Sequence, residues 1–145
     1  MKELKKLFLL IPKVVLLFVF GGLMYMGVEI LFRGYTHFSM FFVGGLCFVL
    51  VGGINEKLPW NMAFVSQMMI ASLLVTAVEF FAGVILNLFL GLGVWDYSTL
   101  PYNLLGQISL IFSVGWFFLS AIGILLDDWL RYLIYGEDRP HYKIF

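Results

Sequence analysis

The stretch TAVEFFAGVILN, residues 76–87, decides the fold, because it is almost continuously apolar and yet carries a carboxylate, Glu79, near its middle. A second stretch, MGVEILF at residues 26–32, places Glu29 in the same setting. Apolar runs of this kind, extended by their flanks, are long enough to form membrane-spanning helices. An ionisable side chain inside such a helix is costly and is normally buried in the bundle or exposed to a water-filled path. Both glutamates are therefore candidate functional residues.

The composition indicates an integral membrane protein. The chain has 145 residues, of which 62% are hydrophobic and 12% charged, whereas a soluble domain is about 45 to 50% apolar and about 25% charged. The mean hydropathy of +0.99 agrees with this class. With about 20 residues in each span, the chain has room for four helices in one membrane domain.

The hydropathy pattern predicts an all-α fold with four transmembrane helices and a C-terminal tail. The tail reads as an interfacial helix that ends at Gly136, with Asp127 and Asp128 spaced to pair with Arg131. A weak symmetry is compatible with two parallel helical hairpins, since Glu29 and Glu79 each precede a span that ends in acidic residues, Glu56 in one half and Asp127 in the other. Chance similarity between apolar segments is the alternative. The predicted spans are residues 14–32, 38–54, 68–92 and 104–126, and the tail is 127–145.

The positive charges predict the orientation, because Lys and Arg accumulate on the cytoplasmic side. Of the nine Lys and Arg residues, only Arg33 falls on the predicted outer side. The chain is therefore expected in the inner, cytoplasmic membrane with both termini in the cytoplasm, and the apolar start is expected to be a retained helix rather than a cleaved signal. The residues on the predicted inner side are Lys2, Lys5, Lys6, Lys13, Lys57, Arg131, Arg139 and Lys143.

Helical periodicity places the buried glutamates on polar faces. In the third span one narrow stripe holds small and polar side chains, and another helix or a wet cavity must cover it. In the first span the Tyr25 hydroxyl lies one turn from the Glu29 carboxyl. The stripe in span three is Ser72, Thr76, Glu79, Gly83 and Asn87, and the comparable stripe in span four is Gly106, Ser109, Ser113, Trp116, Ser120 and Gly123.

The loop GVWDYSTLPYNLLGQISL, residues 93–110, offers further polar candidates. Asp96 and Tyr97 lie in a segment that could cover a site, and Asn103 and Gln107 are one turn apart at the start of the predicted fourth span. A ladder is expected in which Glu79 and Asn87 meet Asn103 or Gln107. The alternative is an aromatic belt formed by Trp95, Tyr97 and Tyr102, with Asn103 as a helix cap.

Three segments closely resemble a known family. VEFFAGVILN (78–87), VWDYSTLPYNLLGQISL (94–110) and DDWLRYLIYGEDRPHYK (127–143) are similar to small bacterial membrane proteins, frequent in Firmicutes, known as ABC-transporter type IV or CmpB-like permeases. The resemblance covers about residues 14–145 and implies a multi-helix membrane protein with a permease role. The signature positions that it implies are Glu79, Trp95, Asp96, Tyr97, Ser98, Pro101, Asn103, Gly106 and Gln107.

Three classes of function fit the chain. The first is a transport, channel or permease subunit that moves a small solute or ion along a polar pathway lined by Glu29 and Glu79. The second is a membrane scaffold or accessory subunit, in which the polar groups only join helices. The third is an enzyme with Glu79 as general base and Asp96 as a second carboxylate, which we disfavour because the sequence offers no nucleophile and base pair and no metal cluster.

The expected partners follow from the same features. The sequence contains no G-x-x-x-x-G-K-[ST] motif, so an ABC-type role would need a separate ATPase. No cofactor, metal or nucleic acid is expected, and the lipid bilayer is the main partner. Glycines suited to close helix approach favour a homo-oligomer or a second membrane subunit. These glycines are Gly22, Gly45, Gly52, Gly83, Gly106 and Gly123.

Overall fold

The computed structural model describes residues 1–54, 62–137, 139–142 and 144. Four helices dominate the described residues, and a very short two-stranded antiparallel hairpin precedes the last of them. In chain order the elements are helix α1 (Lys2–Arg33), helix α2 (Ser39–Gly52), helix α3 (Phe64–Gly83) continued by a π-helical turn (Val84–Phe89), strand β1 (Asn103–Leu104), strand β2 (Ile108–Ser109) and helix α4 (Leu110–Tyr135).

Three helical segments in the described ranges are long and apolar enough to cross a membrane. They are α1, α3 together with its π-helical turn, and α4, whereas α2 is apolar but shorter. A helical membrane protein is therefore confirmed, and the four-span count and the duplication stay predictions. Glu56, Lys57 and Lys143 lie outside the described residues.

Helix α1 is longer than the predicted first span. It begins at Lys2 and contains Pro12, and it ends where Gly34 adopts a left-handed conformation with φ of 78°. The Gly34 N–H donates to the Ile30 carbonyl at 2.9 Å, which closes the last turn as a glycine at this position commonly does. The residues before position 14 thus continue the helix.

Helix α4 starts later than predicted and also ends later. Residues 104–109, expected as the start of span four, lie instead in the β1–β2 hairpin that begins at Asn103. The helix is capped by Ser109, whose side chain accepts from the Phe112 N–H, so the expectation of an Asn103 cap is wrong. Its end at Gly136, with φ of 63°, is as predicted. The segment expected as a separate interfacial helix instead continues α4 to Tyr135.

The structure divides into two compact units, residues 1–49 and 50–145. In the first unit, α1 and α2 approach each other through glycines, because a Cβ atom added at any of four positions would overlap an aromatic residue of the other helix. Close packing of this type is what small residues provide between membrane helices. The pairs are Gly21 with Phe48, Gly22 with Phe41, Gly44 with Tyr25 and Gly45 with Phe18.

Several glycines on which the oligomer expectation rested are thus occupied within the chain. Besides Gly22 and Gly45, Gly52 lies against the Asp127 carboxyl and Gly83 against Gln107. These positions serve intrachain packing, and oligomerisation itself stays a prediction.

In the second unit the chain after α4 returns to the start of α3. The Tyr142 ring lies 5.0 Å from the Phe64 ring, and its hydroxyl donates to Asp128 at 2.7 Å. Burial, followed by this hydrogen bond and the nearby aspartate charge, raises the pKa of Tyr142 above its usual range. Arg131 forms the predicted ion pair with Asp127, with Nε to Oδ2 at 2.8 Å. This end of the unit is therefore closed by polar contacts made within the chain.

Candidate functional site

Glu79 is buried in the second unit between α3, α4 and the loop that joins them. Its side chain is 5% exposed. The Tyr97 hydroxyl donates to Oε1 at 2.8 Å, and the Trp116 indole N–H donates to Oε2 at 2.9 Å. Each carboxylate oxygen therefore receives one hydrogen bond from an uncharged donor. Within the described residues, no Lys or Arg lies at salt-bridge distance from Glu79.

The polar stripe of α3 faces α4, as the helical spacing predicts. Ser72 donates from Oγ to the Ser113 carbonyl at 2.7 Å, and the Thr76 and Ser113 hydroxyls lie 2.9 Å apart. Thr76 is one turn before Glu79, and Ser113 is one turn before Trp116. A row of hydroxyl groups therefore continues along the helix contact from the Glu79 carboxyl.

Asn87 and Gln107 form a second polar contact nearer the loop. The Asn87 amide donates to Gln107 Oε1 at 2.8 Å, while Asn87 Oδ1 accepts from the Val94 N–H at 2.7 Å. Asn87 lies in the π-helical turn that follows α3. Short π-helical turns are frequently found at functional sites. The predicted pairing of Asn87 with Gln107 is present, but neither residue hydrogen-bonds to Glu79.

The loop holds Tyr97 over Glu79 through its own backbone. The Tyr97 N–H donates to the Gly106 carbonyl at 2.8 Å, and its ring stacks on Phe112 at a centroid distance of 4.4 Å and an interplanar angle of 6°. Gly106 has φ of 72°, and the preceding Leu105 also adopts a positive φ, of 54°. A positive φ is uncommon for a residue with a side chain, so the turn is held by its surroundings.

Asp96 and Asn103 stabilise the loop and do not join the Glu79 cluster. The Ser98 N–H donates to Asp96 Oδ1 at 2.9 Å, and the hydrogen bonds with Ser98 hold the pKa of the Asp96 carboxyl below its usual value. Asn103 donates to the Leu100 carbonyl at 2.7 Å and accepts from the Gly106 N–H at 3.0 Å. Of the two alternatives for the predicted ladder, Asn103 or Gln107, Asn103 does not take part, because its amide is used inside the turn.

Of the three aromatic residues in the alternative of an aromatic belt, Trp95 and Tyr97 make hydrogen bonds inside the second unit. Trp95 is only 7% exposed, and its indole N–H donates to the Gln107 carbonyl at 3.0 Å. Tyr97 is bound to Glu79. Among the three aromatic residues considered for the belt, Tyr102 alone is strongly exposed, at 82%.

Glu29 and Tyr25 lie in the first unit, in a different setting. Glu29 is buried at 8% exposure and pairs with Arg33, with Nη1 to Oε2 at 3.1 Å. Tyr25 packs on Gly44 of α2. This carboxylate has a cation beside it, one turn further along α1, whereas Glu79 is held by neutral donors.

Trp116 is a functional candidate that is not among the site residues predicted from the sequence. The helical stripe in span four contained both Ser113 and Trp116, so the signal was present. What the stripe could not supply was the depth of Trp116 relative to Glu79, which depends on how α3 and α4 are offset.

The two donors to Glu79 have different chemistry. An indole N–H can only donate, so Oε2 must act as an acceptor in this arrangement. A tyrosine hydroxyl can donate or accept, so Oε1 can carry a proton if the Tyr97 hydroxyl turns to accept it. The cluster can therefore hold one proton at Oε1, or a negative charge, with the same heavy-atom geometry.

Comparison with known proteins gives a family assignment. The family model described as "Putative ABC-transporter type IV" matches residues 4–135. No curated protein and no solved structure matches the chain. Because the match covers nearly the whole chain, including α1, the Glu79 cluster and the loop, the protein belongs to the ABC-transporter type IV family.

Proposed function

We propose that this protein is the membrane subunit of a transporter and that Glu79 binds a proton or a small cation on the transport route. The observation that carries the proposal is the buried Glu79 carboxylate with a neutral donor on each oxygen. An ionisable residue buried inside a membrane helix is by default a candidate for an ion or substrate route. The family assignment supports a transporter-type membrane protein.

Glu79 is the stronger of the two predicted pathway residues. Glu29 is paired with Arg33, so binding a cation there would compete with the guanidinium group. At Glu79, among the residues that the structure describes, a cation or proton would compete with uncharged donors. The row of hydroxyls at Thr76, Ser113 and Ser72 extends from this carboxyl and offers oxygen atoms along the contact of α3 with α4.

The energy source in this proposal is a separate ATPase. The sequence has no P-loop motif, so ATP hydrolysis by that route would have to come from another chain. Protein isolated with its native membrane partners and protein isolated alone should therefore differ in ATP-dependent flux, while passive proton or cation exchange should depend on this chain.

The test is flux in proteoliposomes with matched carboxylate variants. Glu79→Gln keeps the size of the side chain, and its Oε1 can still accept from Trp116 while its amide donates to the Tyr97 hydroxyl. We expect the variant to fold but to lose proton or cation flux. Glu3→Gln removes an exposed carboxylate that pairs with Lys6 at 3.2 Å, and it should keep wild-type flux. Wild-type flux in a folded Glu79→Gln protein would contradict the transport role.

A scaffold function is the second candidate, and one observation favours it. Both Glu79 oxygens are already hydrogen-bonded and Tyr97 is stacked on Phe112, which is what a helix-joining contact requires. In this case Glu79→Gln would keep assembly, and Glu79→Leu would weaken it because two donors would lose their acceptor. Absence of flux in wild-type protein together with this pattern would favour the scaffold.

A further inference from the structure

Helix α1 is too long for a single membrane crossing. Its 32 residues correspond to about 48 Å at about 1.5 Å per residue, whereas the hydrocarbon core of a bilayer is about 30 Å thick. Even a tilt of about 40°, near the upper end for membrane helices, leaves roughly 37 Å along the bilayer normal. Because residues 14–32 alone can span the core, residues 2–13 are surplus to it. We call this segment the basic arm.

The basic arm has two opposite faces. At about 100° per residue, its four lysines fall within a sector of about 100°. Four apolar residues fall within an equally narrow sector on the opposite side. Leu9 lies among the lysines. The lysines are Lys2, Lys5, Lys6 and Lys13, and the apolar residues are Leu4, Leu7, Phe8 and Ile11.

The apolar face of the arm is open in the structure. The exposed fractions are 60% for Leu4, 51% for Leu7, 73% for Phe8 and 54% for Ile11. The acidic residue of the arm, Glu3, pairs with Lys6, and an exposed pair of this kind contributes little. The arm therefore presents a bare apolar strip, a net positive face and a direct continuation into a membrane-spanning helix.

We propose that the basic arm lies along the membrane surface and binds the phosphate groups of anionic lipids through Lys2, Lys5 and Lys6. A helix with a lysine face and an apolar face is suited to the bilayer interface, where it buries the apolar side and attracts anionic headgroups. Continuity with the span favours lipid over a soluble acidic partner. Pro12 has no N–H to donate to the Phe8 carbonyl, which weakens the helix where the arm would turn away from the span.

Neighbouring positions on opposite faces provide the test. In a Cys47→Ser background, Phe8→Cys and Leu9→Cys each introduce one thiol for an environment-sensitive fluorophore, at nearly the same height along the helix. The protein is reconstituted in vesicles of phosphatidylcholine with or without phosphatidylglycerol, and quenching by neutral acrylamide is measured. With phosphatidylglycerol we expect several-fold weaker quenching at position 8 than at position 9. Equal quenching at the two positions would overturn the proposal. In an arm that stands upright in the membrane, quenching depends on the height of a residue along the helix, and positions 8 and 9 have nearly the same height.

Charge dependence separates phosphate binding from simple apolar insertion. Replacing Lys2, Lys5 and Lys6 together with Gln should raise quenching at position 8 in phosphatidylglycerol vesicles to the phosphatidylcholine value, whereas Arg139→Gln, outside the arm, should not. High salt screens the attraction between lysines and phosphates, so it should also raise quenching at position 8 in the arm with its lysines intact. This measurement does not require the triple variant to fold. Phosphate binding would be overturned if quenching at position 8 stayed equally weak without phosphatidylglycerol, at high salt and after replacement of the three lysines. These readouts do not depend on Glu79 or on transport.

Discussion

At the residue scale, Glu79 shows how uncharged donors can hold a carboxylate inside a membrane helix. The indole N–H of Trp116 and the hydroxyl of Tyr97 each satisfy one oxygen, so the usual cost of a buried polar group without partners is avoided. The two donors are not equivalent, because only the tyrosine can reverse its hydrogen bond. Of the two donors, Tyr97 is therefore the one that can also accept a proton from the carboxyl, at Oε1.

Removal of either donor should destabilise the second unit. Tyr97→Phe keeps the ring that stacks on Phe112 and removes only the hydroxyl, so we expect a loss of about 1.5 to 3 kcal/mol, as for a hydrogen bond to a charged group. Trp116→Phe should cost a similar or larger amount, because ring volume is also lost. Denaturant titration of the purified protein in detergent micelles measures both.

A double-mutant cycle identifies the cause of that loss. If Tyr97 acts through Glu79, the Tyr97→Phe change should cost much less when Glu79 is already Leu, since the acceptor is gone. Tyr102→Phe serves as the control and should be close to neutral, because Tyr102 is 82% exposed. Additive effects of Tyr97→Phe and Glu79→Leu would show that the hydrogen bond contributes nothing to stability.

At the element scale, the sequence predicted α3 well and the loop after it poorly. Helical periodicity placed Thr76 and Glu79 on one face, and both contact α4 or the loop. The prediction succeeds because the fixed rotation per residue of a regular helix determines which side chains share a face. Residues 104–109 were predicted as the start of span four because the hydropathy pattern continues through them. The chain there is set by positive φ at Tyr102, Leu105 and Gly106. For Tyr102 and Leu105 the residue type gives no hint of this conformation.

The contact of α3 with the hairpin should be sensitive to volume at one glycine. A Cβ at Gly83 would lie 2.5 Å from Gln107 Oε1 and 3.0 Å from Trp95 Cζ2, so Gly83→Ala must displace the side chain that binds Asn87. We expect a lower thermal unfolding temperature and faster hydrogen exchange in the loop. Gly115→Ala is the matched control in α4, since nothing lies within 4 Å of its added Cβ, and it should be neutral or slightly stabilising. Equal effects at the two positions would argue against close packing of Gly83 on Gln107 and Trp95.

The loop should open in acid through Asp96. Its folded pKa is lowered by the hydrogen bonds with Ser98, so its contribution to stability is fully present above the unfolded value of about 3.9 and is lost as the pH falls through the lower folded value. Hydrogen exchange of the loop should therefore not change between neutral pH and mild acid, after correction for intrinsic rates, and should rise below that window. In Asp96→Asn the amide oxygen can still accept from Ser98 without titrating, so the acid step should disappear. An acid step that persists in Asp96→Asn would assign the opening to another group.

At the scale of the whole molecule, the open question is how many helices cross the membrane. Helix α2 has 14 residues, which corresponds to about 21 Å, shorter than a hydrocarbon core of about 30 Å. Its approach to α1 through Gly44 and Gly45 places it within a helical hairpin, and this packing is compatible with a thinned bilayer or with a helix that enters only part of the way. The number of crossings determines whether the two ends of the chain lie on the same side of the membrane.

Two exposed positions decide the count. Tyr35 follows α1, and Ser98 lies in the loop between α3 and α4, so one further crossing by α2 determines whether they face the same compartment. In the Cys47→Ser background, Tyr35→Cys and Ser98→Cys are labelled on intact cells with an impermeant maleimide, and His141→Cys marks the side on which α4 ends. From the positive charges near both ends of the chain, we expect labelling at 35 and 98 and protection at 141, which corresponds to four crossings. Labelling at 35 and 141 with protection at 98 would mean that α2 does not cross. The chain would then have three crossings, with its two ends on opposite sides.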